Sequence, residues 1–196
     1  SQDFFDFLTS FFNGNADPRF DLVFSRSGMV FNGTAGDDVL TSGSGADTFN
    51  GLGGTDTVSY RFAAGSVTVD LAASSSTWLG EAQNDVFNSI EILEGSKSGP
   101  GDVLLGTTGG DRIFGLGSND FINGGEGADQ LDGGDGDDVL VGGLGDDILN
   151  GGAGRDEINY VGVNQNLYIS LGNGDGSIAT TTSRVATEVP SLGNGA

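Results

Sequence analysis

The chain has 196 residues, with 28 acidic side chains, 7 basic ones and a formal net charge of −21. It contains no histidine and no cysteine, which excludes Ser-His-Asp and Cys-His catalysis, disulfide frameworks, thiolate zinc sites and iron–sulfur clusters. Its basic residues (Arg19, Arg26, Arg61, Lys97, Arg112, Arg155 and Arg184) are scattered, so no electrostatic attraction to nucleic acid or anionic lipid is expected.

Leu, Ile, Val and Phe together make up about 27% of the chain, above the roughly 20% below which highly charged chains stay unfolded. That is still a modest supply for a core, and the 37 glycines add backbone entropy that folding must overcome. The chain therefore needs help to fold. The acids are 22 Asp against 6 Glu, and a preference for the shorter carboxylate points to turns that hold a hard cation. No run of about 18 apolar residues is present, so no membrane-spanning helix is expected. Nor does the N-terminus carry a basic-then-apolar signal peptide.

In chain order, residues 1–32 form a Phe-rich segment. Eight of the 13 Phe residues fall in the first 31 positions. Phe4, Phe7, Leu8, Phe11 and Phe12 follow helical spacing, and Asp3 and Asp6 suit the first turn. A small N-terminal helix is predicted, serving either as a cap on an open stack or as a docking helix for a protein partner or a surface; both roles need one apolar face.

Residues 33–59 read in nines as GTAGDDVLT, SGSGADTFN and GLGGTDTVS. Residues 60–96 are a spacer with an alternating VTVDL stretch, in which Val67, Val69 and Leu71 predict a strand, and a later apolar segment, DVFNSIEIL. Trp78 and Leu79 read as spacer core. Residues 97–159 resume the nines as KSGPGDVLL, GTTGGDRIF, GLGSNDFIN, GGEGADQLD, GGDGDDVLV, GGLGDDILN and GGAGRDEIN. Residues 160–196 are a second spacer, with Leu167, Ile169 and Leu171 at the offsets of the first. The chain thus reads as two copies of one module. The second stops where a new block is due, which predicts a piece of a longer protein.

The sixth position is Asp in all ten units, and the eighth is apolar in all ten: Leu40, Phe49, Val58, Leu104, Ile113, Ile122, Leu131, Leu140, Leu149 and Ile158. Three residues around the eighth position make a short strand with one side chain pointing in. The six Gly-rich residues reverse the chain. Two units form a coil of 18 residues, and stacked coils give two thin parallel sheets with the eighth positions as core. The sixth-position Asp residues then line both edges, close enough to repel. Divalent cations relieve that repulsion. Calcium suits best, because it accepts six to eight oxygens and tolerates backbone carbonyls. The fifth-position acids Asp37, Asp137 and Asp146 are expected to point outward.

This pattern resembles the RTX, or hemolysin-type calcium-binding, family, most closely in GGEGADQLD, GGDGDDVLV, GGLGDDILN and GGAGRDEIN. In KSGPGDVLL, Lys97 and Pro100 replace glycines, and the unit reads as a partly degenerate end coil. The resemblance covers 90 of 196 residues in ten copies. It implies an all-β fold, a parallel β-roll with short β spacers beside the small N-terminal helix. It also implies a cation between the turns of repeats n and n+2, hence roughly six calcium ions, more if the two runs stack on one another. The implied metal ligands are Asp38, Asp47, Asp56, Asp102, Asp111, Asp120, Asp129, Asp138, Asp147 and Asp156, above all the interior Asp120, Asp129, Asp138 and Asp147. As a member of this family the chain would leave a bacterium unfolded through a type I secretion apparatus. It would then fold outside the cell, where calcium matches sites of about 10⁻⁴–10⁻³ M affinity.

No G-x-S-x-G elbow, Walker A loop or strict EF-hand loop is present, and the repeat accounts for the paired carboxylates. The expectation is a non-enzymatic, calcium-binding module of a secreted or cell-surface bacterial protein with a structural or adhesive role. The alternative is a non-catalytic C-terminal module of a secreted protease, lipase or alginate epimerase.

Overall fold

Turns recurring every nine residues leave room for strands of about three residues, and such short strands persist only when neighbours complete their hydrogen bonds. The computed structural model describes residues 28–73 and 80–159 and the strand at 168–170, and every regular element among them is a β-strand. The first run and spacer give β1 (Val30–Asn32), β2 (Val39–Thr41), β3 (Thr48–Asn50), β4 (Thr57–Ser59), β5 (Thr68–Asp70), β6 (Val86–Asn88) and β7 (Ile92–Glu94). The second run gives β8 (Val103–Leu105), β9 (Arg112–Gly117), β10 (Phe121–Glu126), β11 (Gln130–Asp135), β12 (Val139–Leu144), β13 (Ile148–Ala153) and β14 (Glu157–Asn159), and β15 (Tyr168–Ser170) follows.

All pairings are parallel, and within the repeat runs each strand pairs with the next but one, as a two-strand coil requires. One face is a single seven-stranded sheet in the order β15-β13-β11-β9-β7-β4-β2. The opposite face is divided into β1-β3-β6 and β14-β12-β10-β8-β5. The architecture is the parallel β-roll expected from the repeat.

The eighth-position side chains stack in register between the faces. Ile113, Leu131 and Leu149 lie opposite one another on the first face; Leu104, Ile122, Leu140 and Ile158 do so on the second. All seven are buried. Phe31, Phe49 and Phe87 continue the second column as a stack of near-parallel rings, with centroids 5.0 and 5.8 Å apart. Leu40 is only partly buried, because β2 is the terminal strand of its sheet and pairs with β4 alone.

The spacer at 60–96 enters the same sheets. β7 pairs with both β4 and β9, so the two repeat runs stack on each other through it. β6 pairs with β3, and β5 with β8. Tyr60, Val67, Val69, Ala82, Phe87, Ile90 and Leu93 carry the core across this join. The two alternating stretches share chain offsets but dock differently. β15 lies on β13 of the run before it, whereas β5 lies on β8 of the run after it, since β6 occupies the edge of β3.

Three expectations change. KSGPGDVLL is not an end coil, because its strand β8 sits between β5 and β10. The Gly-rich stretches are not all reversal: β9 to β13 run for six residues, so pairing continues through the next unit's first three positions, with Gly125 opposite Gly143 and Gly134 opposite Gly152. The last residues of the 1–32 segment form β1, the end rung of the stack. The predicted N-terminal helix, Trp78, Leu79 and the tail apart from β15 lie outside the described residues.

Candidate metal centre

The eighth-position side chain points inward, so the sixth-position Asp, two residues earlier, is turned the same way. Asp47, Asp56, Asp102, Asp111, Asp120, Asp129, Asp138, Asp147 and Asp156 are buried, while Asp38, at the end of the stack, is half-buried. Nine of the ten carboxylates fold back over the glycine that opens their own turn, while the turn of Asp47 opens with Ser42. An ideal Cβ on Gly133 would lie 2.3 Å from Asp138 Oδ2 and 2.5 Å from the Gly151 carbonyl oxygen, and one on Gly124 would lie 2.2 Å from Asp129 Oδ2. At these positions only glycine fits.

The Oδ1 atoms form a ladder along the stack. The main-chain N–H of Asp102 donates to Asp120 Oδ1 at 2.7 Å, and that of Asp120 to Asp138 Oδ1 at 2.7 Å. On the other edge the N–H of Asp111 donates to Asp129 Oδ1 at 2.8 Å and that of Asp129 to Asp147 Oδ1 at 3.1 Å. Asp38 donates likewise to Asp56, and Asp138 to Asp156.

Two residues outside the nonapeptides complete these ladders. Asp85 Oδ1 accepts the N–H of Asp47 at 2.7 Å, and Glu91 Oε2 accepts that of Asp56 at 2.9 Å. The nonapeptide pattern does not include either, because no Gly-rich turn precedes them. Their signal was the second half of the unit alone: Asp85-Val-Phe-Asn repeats Asp47-Thr-Phe-Asn, and Glu91-Ile-Leu-Glu has the same shape with Glu for Asp.

The Oδ2 atoms differ. Those of Asp47, Asp56, Asp120, Asp129, Asp138 and Asp147 are buried and meet no hydrogen-bond donor. A buried unsatisfied polar atom costs roughly 1–3 kcal/mol, and more when it is charged. Burial accordingly pushes Asp120 and Asp129 up to about 7 and Asp138 to about 6, with neighbouring carboxylates adding to the shift and the N–H from the adjacent coil opposing it. Burial also raises Asp47, Asp56 and Asp147.

Among the described residues no three acidic side chains converge on one point. A cation held here would take one or two carboxylates, with turn carbonyls supplying the remaining oxygens. That donor set is all oxygen and suits a hard cation such as calcium. The orphaned, inward-facing Oδ2 atoms fit such an ion.

The fifth-position acids sit on the rim. Asp37 Oδ1 accepts the N–H of Thr55, and Asp137 accepts that of Arg155 and forms an ion pair with its guanidinium at 3.2 Å. Arg155 holds Asp137 below the usual carboxylate range.

The degenerate unit differs from its sequence reading. The first-position role before Asp102 is taken by Gly95, not Lys97: a Cβ on Gly95 would lie 2.5 Å from Asp102 Oδ2. The turn is two residues longer, which accommodates Lys97 and Pro100 outside the ladder.

No curated protein matches the chain. Three stretches, residues 30–58, 101–131 and 132–160, match the RTX calcium-binding nonapeptide repeat. They coincide with the coils that carry the carboxylate ladders, and over these stretches the chain carries RTX calcium-binding nonapeptide repeats.

Proposed function

We propose that the chain is a calcium-binding β-roll module of a secreted or cell-surface bacterial protein, folding when it meets extracellular calcium and serving a structural or adhesive role. The observation that carries this reading is the set of six buried carboxylate oxygens without a donor. Stacked in the coils on either side of the middle of the roll, they oppose folding until positive charge enters the turns. Bound calcium supplies that charge, and the candidate ligands are the ten sixth-position residues from Asp38 to Asp156. Cytosolic calcium is too low to fill sites of about 10⁻⁴–10⁻³ M affinity, whereas extracellular calcium is sufficient. The chain would therefore stay unfolded inside the cell, as passage through a type I channel requires, and become rigid outside.

Circular dichroism in EDTA and in millimolar calcium tests this. A coil-like spectrum that becomes β on adding calcium, with magnesium a poor substitute, is expected. A β spectrum of full intensity in EDTA would overturn the reading.

A further inference from the structure

Two sixth-position carboxylates, Asp38 and Asp111, have Oδ2 atoms that take two donors each, and a third, Asp102, takes one donor on Oδ2 and two on Oδ1. Thr34 donates both its N–H, at 2.5 Å, and its hydroxyl, at 3.0 Å, to Asp38 Oδ2. Thr107 does the same to Asp111 Oδ2, at 2.6 and 2.9 Å. Ser96 donates its N–H to Asp102 Oδ2 at 2.6 Å, and its hydroxyl lies 2.9 Å from Asp102 Oδ1. Thr34, Ser96 and Thr107 all hold the second place of their turn, directly after the first-position glycine.

The turns with orphaned oxygens carry Gly43, Leu52, Leu116, Gly125, Gly134 or Gly143 at that place. None of these has a hydroxyl. Five of them adopt left-handed backbone: Leu52 with φ 76°, Leu116 with 77°, Gly125 with 107°, Gly134 with 101° and Gly143 with 103°. Thr34, Ser96 and Thr107 do not, and their N–H groups point at the carboxylate instead. Gly43 keeps ordinary φ, yet Asp47 Oδ2 still meets no donor.

We propose that a Ser or Thr at the second position of a turn replaces the cation in it, so that the turns at 33–38, 95–102 and 106–111 take none while those ending in Asp47, Asp56, Asp120, Asp129, Asp138 and Asp147 do. A carboxylate oxygen has two lone-pair positions. In the Thr turns an amide and a hydroxyl proton fill both, and an approaching ion meets protons rather than electron pairs. The inference rests on the calcium reading above and assigns which turns load.

It also places a cation-independent belt in the middle of the stack. There Asp85 takes the Tyr60 hydroxyl on Oδ2 at 2.5 Å, Asp102 takes Ser96 and Asp111 takes Thr107. Loaded turns lie on either side of this belt.

Calcium stoichiometry at saturation, read by native mass spectrometry on the whole chain, tests the proposal. Thr107→Gly is expected to bind about one ion more per chain than the unaltered protein, and Thr107→Ser the same number as the unaltered protein. Thr34→Gly gives a second, independent version. An unchanged count in the glycine variants overturns the proposal. Should those variants fail to fold, a crystal structure of the unaltered protein grown in calcium decides: ions beside Asp129 and Asp138 but not between Thr107 and Asp111 support it, and an ion in the 106–111 turn overturns it. A folded chain that binds no calcium would instead remove the functional reading on which the proposal stands.

Discussion

Asp129 donates its main-chain N–H to Oδ1 of Asp147, 3.1 Å away, while the Oδ2 atoms of both face no donor. One oxygen of each carboxylate is thus used to tie coils together and the other is left for something the chain does not supply. Asp129→Asn keeps an acceptor for the ladder but removes the charge; Asp129→Ala removes both. Both are expected to raise the calcium midpoint on the order of tenfold, because affinity in such sites follows ligand charge. Asp38→Ala should leave it nearly unchanged, since Asp38 is half-exposed and already satisfied by Thr34. Calcium titrations followed by circular dichroism compare them, and equal shifts at Asp38 and Asp129 would contradict the site assignment.

Asp102 should behave differently. Its carboxylate receives the N–H of Val67 at 2.8 Å and that of Ser96 at 2.6 Å, and so fastens the spacer to the second run. Asp102→Ala strands buried donors at roughly 1–3 kcal/mol each. Urea denaturation at saturating calcium should show a loss of about 3 kcal/mol, with the calcium midpoint far less affected than in Asp129→Ala. A shifted midpoint at undiminished stability would place Asp102 among the metal ligands instead.

In EDTA the pH dependence has a definite sign. Asp120 and Asp129 titrate near 7 and Asp85 and Asp138 near 6 in the folded chain, against about 3.9 unfolded. The folded state therefore binds more protons than the unfolded one between those values. Its stability is greatest below about pH 4 and falls as pH rises through 6 to 7. Circular dichroism in EDTA should show more β structure at pH 5 than at pH 8. Added calcium should reverse the trend, because protons then compete with the ion. A metal-free chain that gains β structure as pH rises would count against the buried, donor-free carboxylates.

Glycine beneath a folded-back carboxylate, as at Gly133, is predicted to be irreplaceable. Gly133→Ala drives a Cβ to within 2.3 Å of Asp138 Oδ2 and 2.5 Å of the Gly151 carbonyl oxygen, whereas Gly65→Ala meets nothing within 4 Å. Thermal denaturation in calcium should show a loss of at least roughly 2 kcal/mol for the first and little change for the second. Equal tolerance of both would mean that the carboxylates do not fold back over their own turns.

The repeat made the core legible before any coordinates, because a period of nine with one apolar position admits few arrangements. The strands at Val39–Thr41, Thr48–Asn50 and Thr57–Ser59 fall on the seventh to ninth positions as read. What periodicity could not supply was the path through 60–96. Asp85 and Glu91 hold ladder positions through backbone placement alone, 38 residues from Asp47 and 35 from Asp56 where the repeat has 18. The exchange of Lys97 for Gly95 has the same origin: an insertion of two residues is invisible to a fixed frame, yet the carboxylate still needs a bare Cα beneath it. The division of Asp residues into engaged and orphaned was written in the second position of each unit, but it acquires meaning only when the φ angle and the direction of the N–H are known.

The ladder has one further consequence, for how such a chain can change in length. Within the second run each tie runs from an amide to a carboxylate 18 residues further along, so the bond pattern there repeats under a shift of one full coil and under no smaller one. Gain or loss of 18 residues within the second run would leave each remaining amide with an equivalent acceptor on its own edge. Gain or loss of nine would carry all that follows to the opposite edge and exchange the two faces beyond that point. Length in this architecture is therefore quantised, and the chain can be extended or shortened in whole coils without redesigning any of its parts.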